Sequence, residues 1–349
     1  MSRVLFSGYY GLGNAGDEAV LAGGIELLRR QRTDVEIAVL SQDPAATRAL
    51  HGVEAFPRMQ LSALRAALRG CDLLLSGGGS LLQYATSRRS LYYYLFVLWQ
   101  AQRLGRRTMV FAQGMGPLQG RLSRRMTAAI LRRTDAITVR DRDSADLLRA
   151  LGVISPAPVL SADPAFALTP ERTPRVEALL ADLPRPRLAV APRPCPGDLP
   201  ALNEVIEALR ARKPGLSVLA WALYPAQDEP LCRRLLSELG GGALASGLTP
   251  REWMALAAEC DVVLGTRLHA LIFAAAQGAP FLGLDYDPKV GAFLREAGGI
   301  NLGPPGDLVA TTLTTALEAA LSGGAGEGSP EGWRDRAALS ARMAVELLD

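Results

Sequence analysis

Arg3-Val-Leu-Phe-Ser7 runs into Gly8-Tyr-Tyr-Gly11-Leu-Gly13-Asn14-Ala-Gly16-Asp17-Glu18, and a helical pattern then continues to Gln31. A short apolar strand, a glycine-rich turn and a helix form the opening of a βαβ unit. The same alternation continues outward. Glu36–Leu40, Asp72–Ser76, Thr108–Ala112 and Ala136–Val139 read as further strands, with helical stretches at Leu91–Leu104, Arg121–Arg133 and Arg142–Leu151. Such alternation implies a parallel sheet covered on both faces.

Prolines then crowd the chain from Pro164 to Pro200, and regular structure is expected to break there. A second alternating series follows, with strands at Leu188–Ala191, Leu216–Ala222, Val262–Gly265 and Phe281–Leu284. The expected organisation is a Rossmann-like domain over 1–168, a Pro-rich hinge over 169–187 and a second Rossmann-like domain over 188–322. A linker at Gly323–Gly328 would lead into a last helix near Trp333–Leu348. Cys71-Asp-Leu-Leu-Leu-Ser76 resembles Cys260-Asp-Val-Val-Leu-Gly265. Two readings stand: a duplicated α/β domain, or a helix-to-strand junction common to many proteins. In either case the expected fold class is α/β, with two such domains facing across a cleft. Ligands of such sheets bind beyond the carboxyl ends of the strands.

The 349 residues are 49% hydrophobic and 21% charged, which excludes a disordered chain. The net charge of +3 is too small to make nucleic acid the expected partner. Nearly all the positive charge is arginine: Lys213 and Lys289 are the only lysines, and His51 and His269 the only histidines. Cys71, Cys195, Cys232 and Cys260 show no C-x-x-C spacing, which argues against zinc or redox motifs. No signal-peptide pattern is visible, and the apolar stretch Leu91–Trp99 is about half of a membrane span. A soluble, cytoplasmic protein is expected. Arg88 and Arg89 beside that stretch leave two readings for it, a core helix or one resting on the inner membrane face.

Chemistry is sought in the turns after the strands. Gly11, Gly13 and Gly16 match G-x-G-x-x-G only in part, and Asp43 lies beyond the place of a ribose-binding acid. No lysine completes a P-loop. Asp17 and Glu18 read either as helix-capping carboxylates or as groups facing a substrate hydroxyl. Gly77-Gly78-Gly79-Ser follows the third strand and Gln113-Gly114-Met-Gly-Pro the fourth. With Asn14 and Gly16, these turns outline a pocket walled by backbone amides, suited to phosphate or sugar. Arg140 follows a strand directly, pointing into that pocket or pairing with Asp141 or Asp143. Arg193 holds the equivalent place in the second half. Gly265-Thr266-Arg267-Leu-His269 puts His269 in the first turn of a helix, as a proton-transfer group or as a buried structural imidazole. Lys289 follows another strand. No hard-metal carboxylate cluster and no cofactor are expected.

Gly8-Tyr-Tyr-Gly11, Asn14-Ala-Gly-Asp-Glu-Ala19, the Gly77 turn, Gln113-Gly-Met-Gly-Pro117, Val139-Arg-Asp141, Ala162-Asp-Pro-Ala-Phe166 and Gly265-Thr-Arg-Leu-His-Ala270 stand in a characteristic order. Together they resemble the polysaccharide pyruvyl transferases, nearest to the bacterial enzymes that modify secondary cell-wall polymers. The resemblance runs from about residue 3 to residue 300. It implies a GT-B-like fold whose final helix crosses back to the first domain. It further implies transfer of the enolpyruvyl unit of phosphoenolpyruvate onto two hydroxyls of a β-linked N-acetylmannosamine in a lipid-linked precursor. The product is a pyruvate ketal that serves surface-layer anchoring. Asp17, Arg140, His269 and Lys289 match the family's acidic, basic and histidine positions. The resemblance would place an aromatic residue two positions after Arg193, where this chain has Cys195. Phosphoenolpyruvate needs several cations, for which Arg140, Arg193, Arg267 and Lys289 are candidates, with Thr266 beside them. A nucleotide-sugar glycosyltransferase, a sugar epimerase and a silent glycan-binding protein are the competing readings on the same fold.

Overall fold

The computed structural model describes residues 2–84, 88–211, 215–323 and 330–349. The chain forms two compact units. The first comprises Met1–Leu12, Asp17–Ala167 and Trp333–Asp349, and the second Gly13–Gly16 and Leu168–Gly332.

In the first unit the elements are β1 (Arg3–Ser7), α1 (Ala15–Gln31), β2 (Glu36–Ser41), α2 (Pro44–His51), β3 (Glu54–Pro57), α3 (Leu61–Arg69) and β4 (Leu73–Gly77). They continue as α4 (Arg88–Arg103), β5 (Arg107–Gln113), α5 (Arg121–Leu131), β6 (Ala136–Val139), α6 (Arg142–Ala150) and β7 (Val159–Leu160). The strands form one parallel sheet in the order β3-β2-β1-β4-β5-β6-β7. All neighbours are parallel, and the order in which successive strands are added reverses between β1 and β4, where the two Rossmann halves meet. β4 is buried along its whole length, as expected for a strand with helices on both faces. Phe6 and Phe111 meet edge to face at 5.8 Å in this core.

The second unit holds α7 (Pro174–Leu180), β8 (Arg187–Ala191), α8 (Asp198–Ala211), β9 (Ser217–Ala222), α9 (Pro225–Leu239), β10 (Ala243–Ser246) and α10 (Pro250–Ala258). β11 (Val262–Gly265), α11 (Leu268–Gln277), β12 (Phe281–Gly283), α12 (Pro288–Ala297), β13 (Ile300–Asn301) and α13 (Ala310–Leu321) complete it. Its parallel order is β10-β9-β8-β11-β12-β13. The last helix, α14 (Pro330–Glu346), joins the first unit from Trp333 onward. There Trp333 stacks on Phe166 at 5.0 Å, and the Ser340 hydroxyl donates to Thr138 Oγ1 at 2.8 Å.

The strands expected from sequence are present within about one residue at their ends. β3, β7, β10 and β13 were not expected: at two to four residues each they are too short to show a periodicity. Residues 169–187, read as a hinge, contain α7. Pro174 stands at the first helical turn, where a missing N–H costs nothing, and Thr173 caps the helix. Beyond Gly323, the expected linker lies outside the described residues. α4 is a core helix on the face formed by Leu91, Tyr94, Leu95, Val97, Leu98 and Ala101. No helix of the described residues is long and apolar enough to cross a membrane.

The two cysteine-aspartate junctions are built alike. Asp72 accepts the N–H of Arg3 at 2.8 Å, and Asp261 accepts that of Arg187 at 2.7 Å, each tying β4 or β11 to its neighbour. Asp135 does the same to Thr108 without a preceding cysteine. The junction is therefore a general device of these sheets rather than a mark of duplication alone. Cys71 and Cys260 are buried small side chains, their thiols pushed up to about 11 and about 12 by that burial.

Candidate functional site

At the carboxyl edge of the first sheet the turns are bound to one another through backbone. The Tyr10 hydroxyl donates to the Gly77 carbonyl at 2.8 Å, drawing the β1 turn over the end of β4. Burial and the nearby Asp17 carboxylate hold that phenol well above its usual range. Gly114 N donates to Gly79 O and Gly116 N to Leu82 O, so the turns after β4 and β5 are bonded to each other. Gly79 has φ +47°, and a Cβ there would stand 2.6 Å from Asp17 Oδ1. Asp17 therefore lies directly over the Gly77–Gly79 turn.

Gln113 is aimed by a local distortion. β5 carries a register shift between Val110 and Gln113, and Ala112 sits at φ +46°, costly for a residue with a Cβ. The distortion is held by Thr138 Oγ1, which accepts the Ala112 N–H at 2.8 Å and is itself bonded by Ser340 of α14. The Gln113 side chain ends fully buried, with neither amide atom bonded among the described residues. A buried amide in that state is a ready partner for a ligand hydroxyl.

Several sequence candidates have structural partners. Glu18 accepts from Gly11 N and pairs with His51 Nε2, both at 2.8 Å, so both oxygens fasten the turn. Asn14 Oδ1 accepts from Gly16 N. Asp43 caps α2 through Ala46 N. Arg140 pairs with Asp163 at 2.9 Å and donates to Ser80 at 3.1 Å, closer than the 3.7 Å to Asp141 that sequence offered as its partner. Its Nε would meet a Cβ at Gly114 at 2.8 Å. Arg140 thus braces the edge as a neutralised cation.

Arg58 gave no sequence signal, because the short β3 before it was not recognised. It is buried, donates to Gly8 O at 3.3 Å and to the Tyr94 hydroxyl at 3.2 Å, and lies 4.7 Å over the Tyr93 ring. Its partners are a carbonyl, a phenol and aromatic faces, which fix the start of the glycine turn from behind.

The second sheet presents charge instead. Arg267 stands at the N-cap position of α11 and grips Asp228 with Nε at 3.0 Å and Nη2 at 2.5 Å. Burial pushes the Asp228 carboxyl up, and the Arg267 guanidinium opposes this. Lys289 lies 3.1 Å from Asp287, the cap of α12. Arg193 differs from both. It donates to the Tyr286 hydroxyl and stacks 4.5 Å over that ring, with no carboxylate partner among the described residues. Its Nε is buried and unbonded. Burial raises the Tyr286 phenol and Arg193 pulls it down. The aromatic residue expected two positions after Arg193 is absent, Cys195 standing there; the ring that Arg193 packs on is Tyr286, from the turn after β12. Arg193 also lines a small cavity of about 20 Å³ with Thr266 and Asp198, between the ends of β8 and β11.

His269 stands in the first turn of α11 and tilts against Phe273 at 6.2 Å. The segment Gly13–Gly16 belongs to the same unit, where Ala15 N donates to Leu223 O at 2.8 Å. A Cβ on Gly16 would stand 2.1 Å from His269 Nδ1. Only glycine lets this backbone approach the imidazole so closely, and Asp17 is the next residue in the chain.

The family model of the polysaccharide pyruvyl transferases matches residues 14–288. The chain belongs to this family. The match spans the turns of both sheets and makes the protein a transferase of polysaccharide biosynthesis. No curated protein matches the sequence. Among solved structures, UDP-GlcNAc 2-epimerase from Methanocaldococcus jannaschii is similar with TM-score 0.68 and 10% identity, over 99% of each chain. The Neisseria meningitidis UDP-GlcNAc 2-epimerase bound to UDP-GlcNAc gives 0.62 and 14%, again over 99% of each. HepE from Anabaena, in complex with UDP and glucose, gives 0.56 and 15%, over 100% of this chain and 96% of that one. At these identities the likeness is one of fold, a two-domain GT-B-like α/β architecture.

Proposed function

We propose that this pyruvyl transferase family member moves the enolpyruvyl unit of phosphoenolpyruvate onto two hydroxyls of one sugar, releasing phosphate and leaving a cyclic pyruvate ketal. The family match through residues 14–288 carries the reading. Arg193 supports it as the site for the donor's phosphate or carboxylate, since it forms no ion pair among the described residues and its buried Nε is unbonded. Lys289 and Thr266 are assigned to the same donor. Arg267 orients the turn through Asp228.

His269 gives a proton to the donor's methylene carbon, which becomes the methyl group of the product. One sugar hydroxyl attacks the carbon so made electrophilic and passes its proton to Asp17. The second hydroxyl then adds as the bond from that carbon to the phosphate oxygen breaks, its proton leaving with the phosphate, and the proton held by Asp17 is exchanged through solvent to restore His269. Gln113 and the backbone of Gly77, Gly78, Gly79 and Gly114 bind the sugar, with Asn14, Gly16, Glu18 and Arg140 holding those turns in shape. The acceptor assigned is a β-linked N-acetylmannosamine in a lipid-linked cell-wall precursor, and the product serves surface-layer anchoring. The reaction is assigned to the cytoplasm and needs no metal or cofactor.

The test is phosphate release from phosphoenolpyruvate in the presence and absence of an aryl disaccharide acceptor. Acceptor-dependent release, lowered about 10²–10⁴-fold by His269→Ala, is expected. Release that ignores the acceptor overturns the transfer reading, and an unaffected His269→Ala enzyme overturns the assignment of the acid. A nucleotide-sugar transferase, the competing reading on this fold, would be indifferent to phosphoenolpyruvate.

A further inference from the structure

α5 has an outer face that combines exposed apolar side chains with several arginines. Its buried side is Ser123, Thr127, Ala128 and Leu131. Opposite, Leu122 and Met126 lie one turn apart and are 66% and 37% exposed. Residues 121–133 also carry five arginines and no acidic residue, in a chain whose whole net charge is +3. Arg132 is engaged, donating to the carbonyls of Leu151 and Gly152. Arg121, Arg124, Arg125 and Arg133 form no ion pair among the described residues. Some other exposed arginines of this protein do, among them Arg149 with Asp146 and Arg233 with Glu229.

We infer that this face of α5 docks on an anionic lipid surface. Exposed apolar side chains at helical spacing, rimmed by guanidinium groups with no acid among them, match an acyl boundary under negatively charged headgroups. α5 is chosen over α4 as the membrane-facing helix, because most apolar residues of α4 are wholly or partly turned into the core, Trp99 excepted. The inference extends the proposed function by giving a lipid-linked acceptor a surface on which to meet the enzyme.

The full chain is sedimented with phosphatidylcholine vesicles, alone or containing phosphatidylglycerol, in the absence of substrates. Binding only to the phosphatidylglycerol vesicles, weakening as salt rises, is expected. Arg121→Gln with Arg125→Gln lowers the partition on the order of 30-fold, at about 1 kcal/mol per arginine and tenfold per 1.4 kcal/mol. Leu122→Ser with Met126→Ser lowers it as well, and both pairs keep the melting temperature and the turnover of a soluble aryl disaccharide. Failure of the wild type to bind overturns the inference, as do variants that bind like wild type. A face that proves to join two copies of the chain, with dimers lost in the variants and vesicle binding intact, overturns it too. Vesicle binding is read without turnover, so its failure is distinct from failure of the proposed reaction.

Discussion

The two sheets share strand order from β3 to β6 and from β10 to β13, and both are tied by an aspartate at the same junction, yet their carboxyl edges differ in kind. The first edge is backbone and amide: glycine turns joined to one another, a buried Gln113, and Arg140 neutralised by Asp163. The second edge is cationic and aromatic, with Arg193 on Tyr286 and His269 at a helix start. One topology thus offers a surface suited to a neutral polyol and another suited to a small anion. The difference lies wholly in the residues of the turns, since the strands beneath are interchangeable apolar runs.

The largest effect is expected where backbone meets imidazole. Gly16→Val forces a Cβ into the His269 ring, and turnover should fall by about 10²–10⁴-fold, as for loss of the general acid itself. Phosphate release measured beside a thermal melt checks this. Normal turnover in a folded Gly16→Val protein would break the link between the segment and His269.

A second pair sharpens the division between the edges. Arg193→Ala should raise the KM for phosphoenolpyruvate roughly 10–100-fold, the worth of a charge-assisted hydrogen bond, with Arg193→Lys recovering part of it. Gln113→Ala should instead raise the KM for the sugar acceptor, by roughly 5–10-fold for a neutral hydrogen bond. Crossed effects, with Arg193 acting on the sugar or Gln113 on the donor, would overturn the comparison.

The smallest effects come from equivalent helices beneath the edges. α10 carries a complete capping box, in which Thr249 and Glu252 bond each other's backbone N–H, whereas Gln60 before α3 makes no cap bond. Thr249→Ala should cost about 1 kcal/mol and Gln60→Ser should add a similar amount, read from denaturant midpoints. Burial works to raise the Glu252 carboxyl, but hydrogen bonds from Thr173 and Thr249 outweigh it and hold the group below its ordinary value. Its contribution is therefore complete above the ordinary carboxylate value and lost as pH falls through the lowered one. Glu252→Gln should narrow its stability gap to wild type over that acid range.

Much of the molecule was legible in advance where periodicity or glycine chemistry spoke locally. The apolar runs at β1, β4 and β11 needed no partner to be recognised, and the turns after them were marked by Gly77, Gly114 and Gly265. The places of Arg140, Arg193 and His269 in the fold were readable because a residue directly after a strand, or in the turn leading into the next helix, has its place fixed by the strand. Their partners were not. Asp163, Asp228 and Tyr286 lie 23, 39 and 93 positions away from Arg140, Arg267 and Arg193, and no local pattern reports which cation a distant carboxylate will neutralise. Arg58 was invisible for a related reason, since a four-residue edge strand leaves no period to detect.

Sequence alone determined the α/β class and the family and offered a short set of candidates for proton transfer, because strand, turn and helix preferences act over a few neighbouring residues. Only the tertiary structure decided which arginine forms no ion pair among the described residues, why the Gln113 amide is left unbonded among them, and why residue 16 must be glycine. Those are outcomes of packing between residues far apart in the chain, where burial makes each pairing or its absence count.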